Sequence, residues 1–103
     1  MKIINKDEFK ELVLEGKGLK LVDFYADWCG PCRMLAPFLE QLSEEVSACE
    51  IYKINVDNDG EVARDYQVSS IPTLILFKDG VLVDKKIGFL PKDVLKEWIE
   101  ENK

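Results

Sequence analysis

A chain of 103 residues, 47% of them hydrophobic, is long enough to bury roughly two thirds of its unfolded surface and too apolar to be disordered, so one domain over 1–103 is expected. Twenty acidic residues against 14 basic ones give a net charge of −6, which argues against nucleic acid or an anionic membrane as partner. Three cysteines and no histidine make neither a disulfide framework nor a closed metal site, and no metal or other cofactor is expected.

Met1-Lys2-Ile3-Ile4-Asn5-Lys6-Asp7 lacks the apolar core of a signal peptide, and no apolar run approaches membrane-spanning length, so the cytosol is the expected location. Ile3-Ile4 starts a short strand. Asn5 with Glu8 has the pattern of a capping box opening a helix through Phe9, Leu12 and Val13, and Lys17-Gly18 breaks that helix. Leu19 to Ala26 reads as a central strand covered on both faces, because its apolar residues do not alternate cleanly with polar ones.

Cys29-Gly30-Pro31-Cys32 follows directly, and from Cys32 onward Leu35, Phe38, Leu39, Leu42 and Val46 recur at helical spacing. Pro37 falls inside that run and is expected to kink the helix without ending it. Residues i and i+3 of a helix share a face with Cβ atoms roughly 5 to 6 Å apart, so the two sulfurs can join and part without moving the fold. Cys29, at the helix cap, faces unpaired N–H groups and the positive end of the helix dipole, both of which favour thiolate. It is the expected nucleophile. Cys32, one turn inside and expected to be less exposed, would attack a mixed disulfide on Cys29 and resolve it. Pro31 stiffens the first turn, and Gly30 leaves room for a substrate backbone. Two cysteines make only half a zinc site with just Cys49 left over, and a purely structural bridge across so short a loop would restrain the unfolded chain little. Dithiol/disulfide exchange is therefore the preferred chemistry.

Ile51 to Val56 is a second strand, parallel to the first across the helical crossover. Asp57-Asn58-Asp59-Gly60 carries its glycine two positions too early for a calcium loop, so turn formation and helix capping explain it better. A short helix around Val62, Ala63 and Tyr66 comes next. Thr73–Lys78 and Val81–Ile87 flank Asp79-Gly80 as an antiparallel hairpin. A last helix starts near Pro91 and is expected to bury Val94, Leu95, Trp98 and Ile99. These elements make a mixed sheet with helices on both faces.

Val22 through Cys32, then Met34 with Ala36-Pro37, Ile71-Pro72-Thr73, Phe77-Lys78-Asp79-Gly80 and finally Gly88 resemble the thioredoxin family in order and spacing over nearly the whole chain. The resemblance implies the thioredoxin fold, an α/β architecture with a five-stranded mixed sheet flanked by four helices and the redox pair at the start of the second.

It also gives roles to residues whose spacing alone does not. Asp23 lies in an apolar strand, where an unpaired carboxylate is costly and its pKa should rise. Taken by themselves, Asp23 and Lys53 read as a buried ion pair without chemistry. The resemblance implies instead that Asp23 exchanges a proton with Cys32 during resolution, with Lys53 nearby. Since about 5 to 6% of X-Pro bonds in folded proteins are cis, residue frequencies favour trans at Pro72. The family match implies a cis Ile71-Pro72 bond lying against the cysteines. By the same resemblance Trp28, Gly30, Pro31, Ile71, Pro72, Gly88 and Phe89 form an apolar docking surface, with core packing as the alternative for Trp28 and Phe89. Asp57 matches an acid close to the active-site tryptophan. Three positions depart from the pattern: Tyr25 stands where many bacterial members carry a second tryptophan, Ser70 where a glycine is common, and Cys49 outside any motif, expected as a buried, inert thiol.

The function implied is general protein disulfide reduction, with disulfide-containing proteins as substrates and a separate thioredoxin reductase as electron donor, because the chain has no nucleotide-binding glycine loop. A monomer is expected. Gly-Pro between the cysteines points to the reducing end of the family, whereas Gly-His would suggest an isomerase or oxidase. Two other readings stay open at this point: a thiol oxidant or isomerase in an oxidising compartment, and a rigid binding subunit whose thiols are irrelevant.

Overall fold

The computed structural model describes residues 1–103. Its strands are β1 (Lys2–Ile3), β2 (Leu19–Tyr25), β3 (Cys49–Asn55), β4 (Thr73–Lys78) and β5 (Val81–Ile87), and its helices are α1 (Lys6–Phe9), α2 (Gly30–Glu45), α3 (Gly60–Asp65) and α4 (Lys92–Glu101). One sheet runs in the order β1-β3-β2-β4-β5, parallel between β1, β3 and β2 and antiparallel from β2 through β4 to β5. The five-stranded mixed sheet with four helices expected from the sequence is the observed architecture.

β2 is buried at all seven positions because it is central and helices cover both of its faces. Its side chains alternate between two cores. Leu19 and Leu21 point with Ile51, Leu74 and Leu76 toward Leu35, Leu39 and Leu42 of α2 and Leu95, Trp98 and Ile99 of α4. Val22 and Phe24 point the other way, with Ile54, Ile75 and Phe77, toward Phe9 and Val13 and toward Val62 and Ala63 of α3. The same alternation sets Asp23 on the α2 side, beneath the helix that begins at the cysteine pair.

The Asn5 capping box is present: its Oδ1 accepts from the Glu8 amide at 2.9 Å, and Glu8 Oε1 accepts from the Asn5 amide at 3.1 Å. Beyond Phe9 the helix widens into a π-helical segment, Lys10–Leu14, where the Glu15 amide donates to the Lys10 carbonyl. α2 runs unbroken through Pro37. Its far end is tied to α4 by an ion pair between Glu45 and Lys92.

Two expectations need correction. Val94 is 43% exposed, because Leu95, Trp98 and Ile99 already fill the stripe that α4 presents to the sheet and Val94 falls beside it. Asp59 occupies the cap position of α3 but makes no capping bond; its Oδ1 accepts from the Lys6 amide at 3.2 Å instead, joining the starts of α1 and α3.

Asp79 and Gly80 both adopt positive φ, 51° and 82°, the backbone of a tight hairpin turn. A Cβ at Gly80 would collide with the Leu14 carbonyl at the end of the π-helical segment. Gly80→Ala is therefore expected to cost more than about 1 kcal/mol of stability, read as a lower urea midpoint with unchanged slope. An unchanged midpoint would show that the turn and the helix end do not touch in solution.

Candidate active site

The site forms where β2 ends and α2 begins, at the carboxyl ends of the parallel strands. Cys29 is extended, at φ −83° and ψ 112°, and is the N-cap of α2. Its Sγ accepts from the Cys32 amide at 3.2 Å, taking the place a serine or aspartate oxygen usually fills. Cys29 and Cys32 are joined as a disulfide, with Cα atoms 5.2 Å apart. Both cysteines are 4% exposed, so the expected difference in exposure is not there. What separates the two sulfurs is electrostatic, since only Cys29 Sγ receives a backbone N–H from the first turn.

Beneath the pair, Asp23 is fully buried, and neither carboxylate oxygen has a hydrogen-bond partner in the protein. Burial pushes its pKa up to about 7, against a smaller opposing pull from Lys53. Lys53 faces Asp23 across the parallel β2/β3 register. The buried ion pair suggested by the residues alone does not form: Lys53 Nζ sits over the Tyr25 ring, 4.1 Å from its centroid. A cleft of about 310 Å³ opens beside Cys32, lined by Tyr25, Ala26, Asp27, Arg33, Ala36 and Lys53. It brings Lys53 and Cys32 to one solvent-accessible space.

Around Cys29 the chain contributes three loops. The Ile71-Pro72 bond is cis. The Ile71 carbonyl oxygen lies 3.8 Å from Cys29 Sγ, and the Ile71 side chain packs against the cluster that Tyr25 and Ala26 form with the two cysteines. The Gly88 amide donates to the Pro72 carbonyl at 2.8 Å, fixing the β5–α4 loop beside it. Gly88 has φ 95°, which a side chain would oppose. Trp28 is 67% exposed, which rules out core packing, and its indole donates to Asp57 Oδ2 at 2.9 Å. Pro31 is exposed, and open space lies in front of Gly30. Phe89 is half-buried and its ring meets that of Phe38 at 5.8 Å.

Two supporting residues escaped the sequence reading. Buried Asn55 accepts through Oδ1 from the Asp57 amide at 2.9 Å, which sets the carboxylate that holds Trp28. An asparagine closing a strand before Asp-Asn-Asp-Gly was a legible turn signal. Arg33 donates to the Asp27 carbonyl at 2.9 Å, bracing the segment before Trp28 from the first turns of α2. No local pattern marks that contact. The third cysteine, Cys49, is buried at the start of β3, where burial pushes its thiol up to about 12 and leaves it protonated.

No helix is long and apolar enough to cross a membrane, and no three acidic or thiol side chains are grouped to hold a metal. The thioredoxin family model matches residues 1–101. Among similar proteins, thioredoxin of Chlamydia caviae is 47% identical over 102 residues, covering 99% of this chain and 98% of that protein. Thioredoxin of Chlamydia pneumoniae is 48% identical over 102 residues with the same coverage. Thioredoxin of Staphylococcus epidermidis is 51% identical over 86 residues, 82% of this chain and 83% of its own.

Proposed function

The chain belongs to the thioredoxin family and is a protein-disulfide oxidoreductase working by dithiol/disulfide exchange; on that premise we propose that Cys29 is the nucleophile and Cys32 the resolving thiol of a general protein disulfide reductase. The observation that carries this division of roles is the hydrogen bond from the Cys32 amide to Cys29 Sγ at the head of α2. In the dithiol state that N–H and the helix dipole stabilise negative charge on Cys29.

The Cys29 thiolate attacks one sulfur of a substrate disulfide; a Cys29–substrate bond forms, the substrate S–S bond breaks, and the departing thiolate takes a proton from water. Cys32 then gives its thiol proton to the Asp23 carboxylate and attacks Cys29 Sγ, closing the bridge and expelling the second substrate thiolate, which is protonated in turn. Two electrons pass from the dithiol to the substrate. An Asp23 pKa of about 7 suits a group that must accept a proton and release it again near neutral pH. Lys53 opposes the rise in that pKa, and the cleft beside Cys32 gives the proton a way out past it.

Trp28, Gly30, Pro31, Ile71, Pro72 and Gly88 form the docking surface, and Phe89 is its half-buried edge. The backbone at Ile71, whose carbonyl faces Cys29 Sγ, pairs with an extended substrate segment. The protein acts as one monomeric domain over 1–103 in the cytoplasm, and a separate thioredoxin reductase returns the dithiol. Purified protein with a thioredoxin reductase and that enzyme's electron donor is expected to reduce a model protein's interchain disulfide catalytically, and the Cys29→Ser, Cys32→Ser double variant to reduce none. Full biological activity of the double variant would overturn the reading.

A further inference from the structure

Met34 is 61% exposed, although it lies in the first turns of a helix whose leucines Leu35, Leu39 and Leu42 are buried and whose Phe38 is half-buried. Its position relative to the cysteine pair gives that exposure meaning. Helical side chains tilt toward the N-terminus, so Met34 is directed toward the turn that holds Gly30 and Pro31, which stand four and three positions before it. Gly30 immediately follows the Cys29 cap, and no heavy atom of the neighbouring structure comes within 4 Å of the place a Cβ would occupy there. The Met34 side chain therefore leaves the space in front of Gly30 open. On the other side of Cys29, Trp28 is 67% exposed and held by Asp57. Two of the largest exposed apolar side chains in the molecule thus stand one position before Cys29 and two after Cys32, with Gly30, which has no side chain, between them in the chain.

We propose that Met34 is a specificity-determining residue of the disulfide reductase: it forms one wall of a slot over Gly30 that takes a bulky apolar side chain adjacent to the attacked cysteine of the substrate protein. The inference rests on the reading of Cys29 as nucleophile, since the slot is defined by its distance from that sulfur. Fixing the substrate sulfur on Cys29 and the substrate backbone near Ile71 places the neighbouring substrate residue over the first turn of α2. An apolar side chain there removes the exposed thioether and part of the Trp28 ring from water. A small polar side chain leaves both wet. Methionine is suited to such a wall because its unbranched, polarizable chain repacks around Leu, Ile or Phe at little cost.

The test compares two peptide disulfides that differ only in Leu or Ser beside the reacting cysteine, with bis(2-hydroxyethyl) disulfide as a substrate that has no neighbouring residue. Wild-type protein is expected to prefer the Leu peptide by about fivefold or more in kcat/KM, the effect of one to two buried methylenes. Met34→Ser is expected to remove that preference through KM while changing the rate on the small disulfide less than about twofold, and Met34→Leu to restore it. Equal loss on both peptides, or a preference that survives Met34→Ser, would overturn the assignment of Met34. Failure of the wild-type protein to reduce even the small disulfide would overturn the underlying redox reading and the slot with it.

Discussion

Cys32→Ser protein, reduced and then mixed with a disulfide-containing protein, is expected to accumulate a covalent adduct through Cys29, while Cys29→Ser accumulates none. The first variant keeps the sulfur whose charge the helix start stabilises and loses only the thiol that would release the adduct. The second replaces the sulfur that the Cys32 amide supports with a hydroxyl, and leaves only Cys32, whose own sulfur receives no such N–H. Steady-state reduction should fall in both by on the order of a thousandfold or more, since each step needs its own sulfur. The two losses should not add in the double variant, because the pair works as a unit. Cys49 gives the experiment an internal control. Its thiol is buried and pushed up to about 12, so brief alkylation at pH 7 should label reduced wild-type protein at Cys29 and spare Cys49. An adduct that forms equally well in both variants, or alkylation of Cys29 no faster than that of an ordinary free thiol, would sink the assignment of roles.

Periodicity and punctuation made most of the scaffold legible in advance. The hairpin bounds, the buried central strand, the capping box at Asn5 and the parallel crossover all follow from local signals that tertiary packing does not override. Where the sequence misled, a partner distant in the chain decided the matter. Asp59 gave its oxygen to Lys6, 53 residues away, and Lys53 turned from Asp23 toward the Tyr25 face. Val94 shows a different failure: helical spacing groups it with the apolar positions of α4, but Leu95, Trp98 and Ile99 meet the core and Val94 falls beside them. The cis bond at Pro72 shows a third, since residue frequencies favoured trans and only the family resemblance pointed the right way. The cysteine pair needed no long-range information, because its chemistry is written in four consecutive residues and the helix they open.

Replacing Asp23 with asparagine is expected to stabilise the oxidised protein at pH 8 and to slow its catalytic cycle, two effects of one buried carboxyl. Unfolded, the acid titrates near 3.8; folded, burial holds it at about 7. Well below pH 3.8 both states bind the proton and the carboxyl makes no difference between them. As pH rises through that interval the unfolded chain releases its proton while the native protein retains it, so stability falls with increasing pH. It levels off only above about 7, when the native carboxyl has ionised as well. A shift of about three units corresponds to a penalty on the order of 4 kcal/mol at pH 8, not discounted for solvent because the side chain is fully buried. The asparagine amide cannot ionise, so the urea midpoint of the variant should exceed that of the wild type by a margin that grows between pH 4 and 8, the two converging at the acid end, while the other carboxyls act equally in both. Catalysis should move the opposite way. Without a carboxylate to take the Cys32 proton, resolution of the mixed disulfide at pH 7 should slow by about tenfold to a hundredfold, and the deficit should shrink as rising pH ionises Cys32 unaided. A merely structural role for Asp23 would alter stability without altering the pH profile of resolution. Parallel stability profiles for variant and wild type would show that Asp23 is solvated and ordinary, and parallel rate profiles would show that the proton route from Cys32 lies elsewhere.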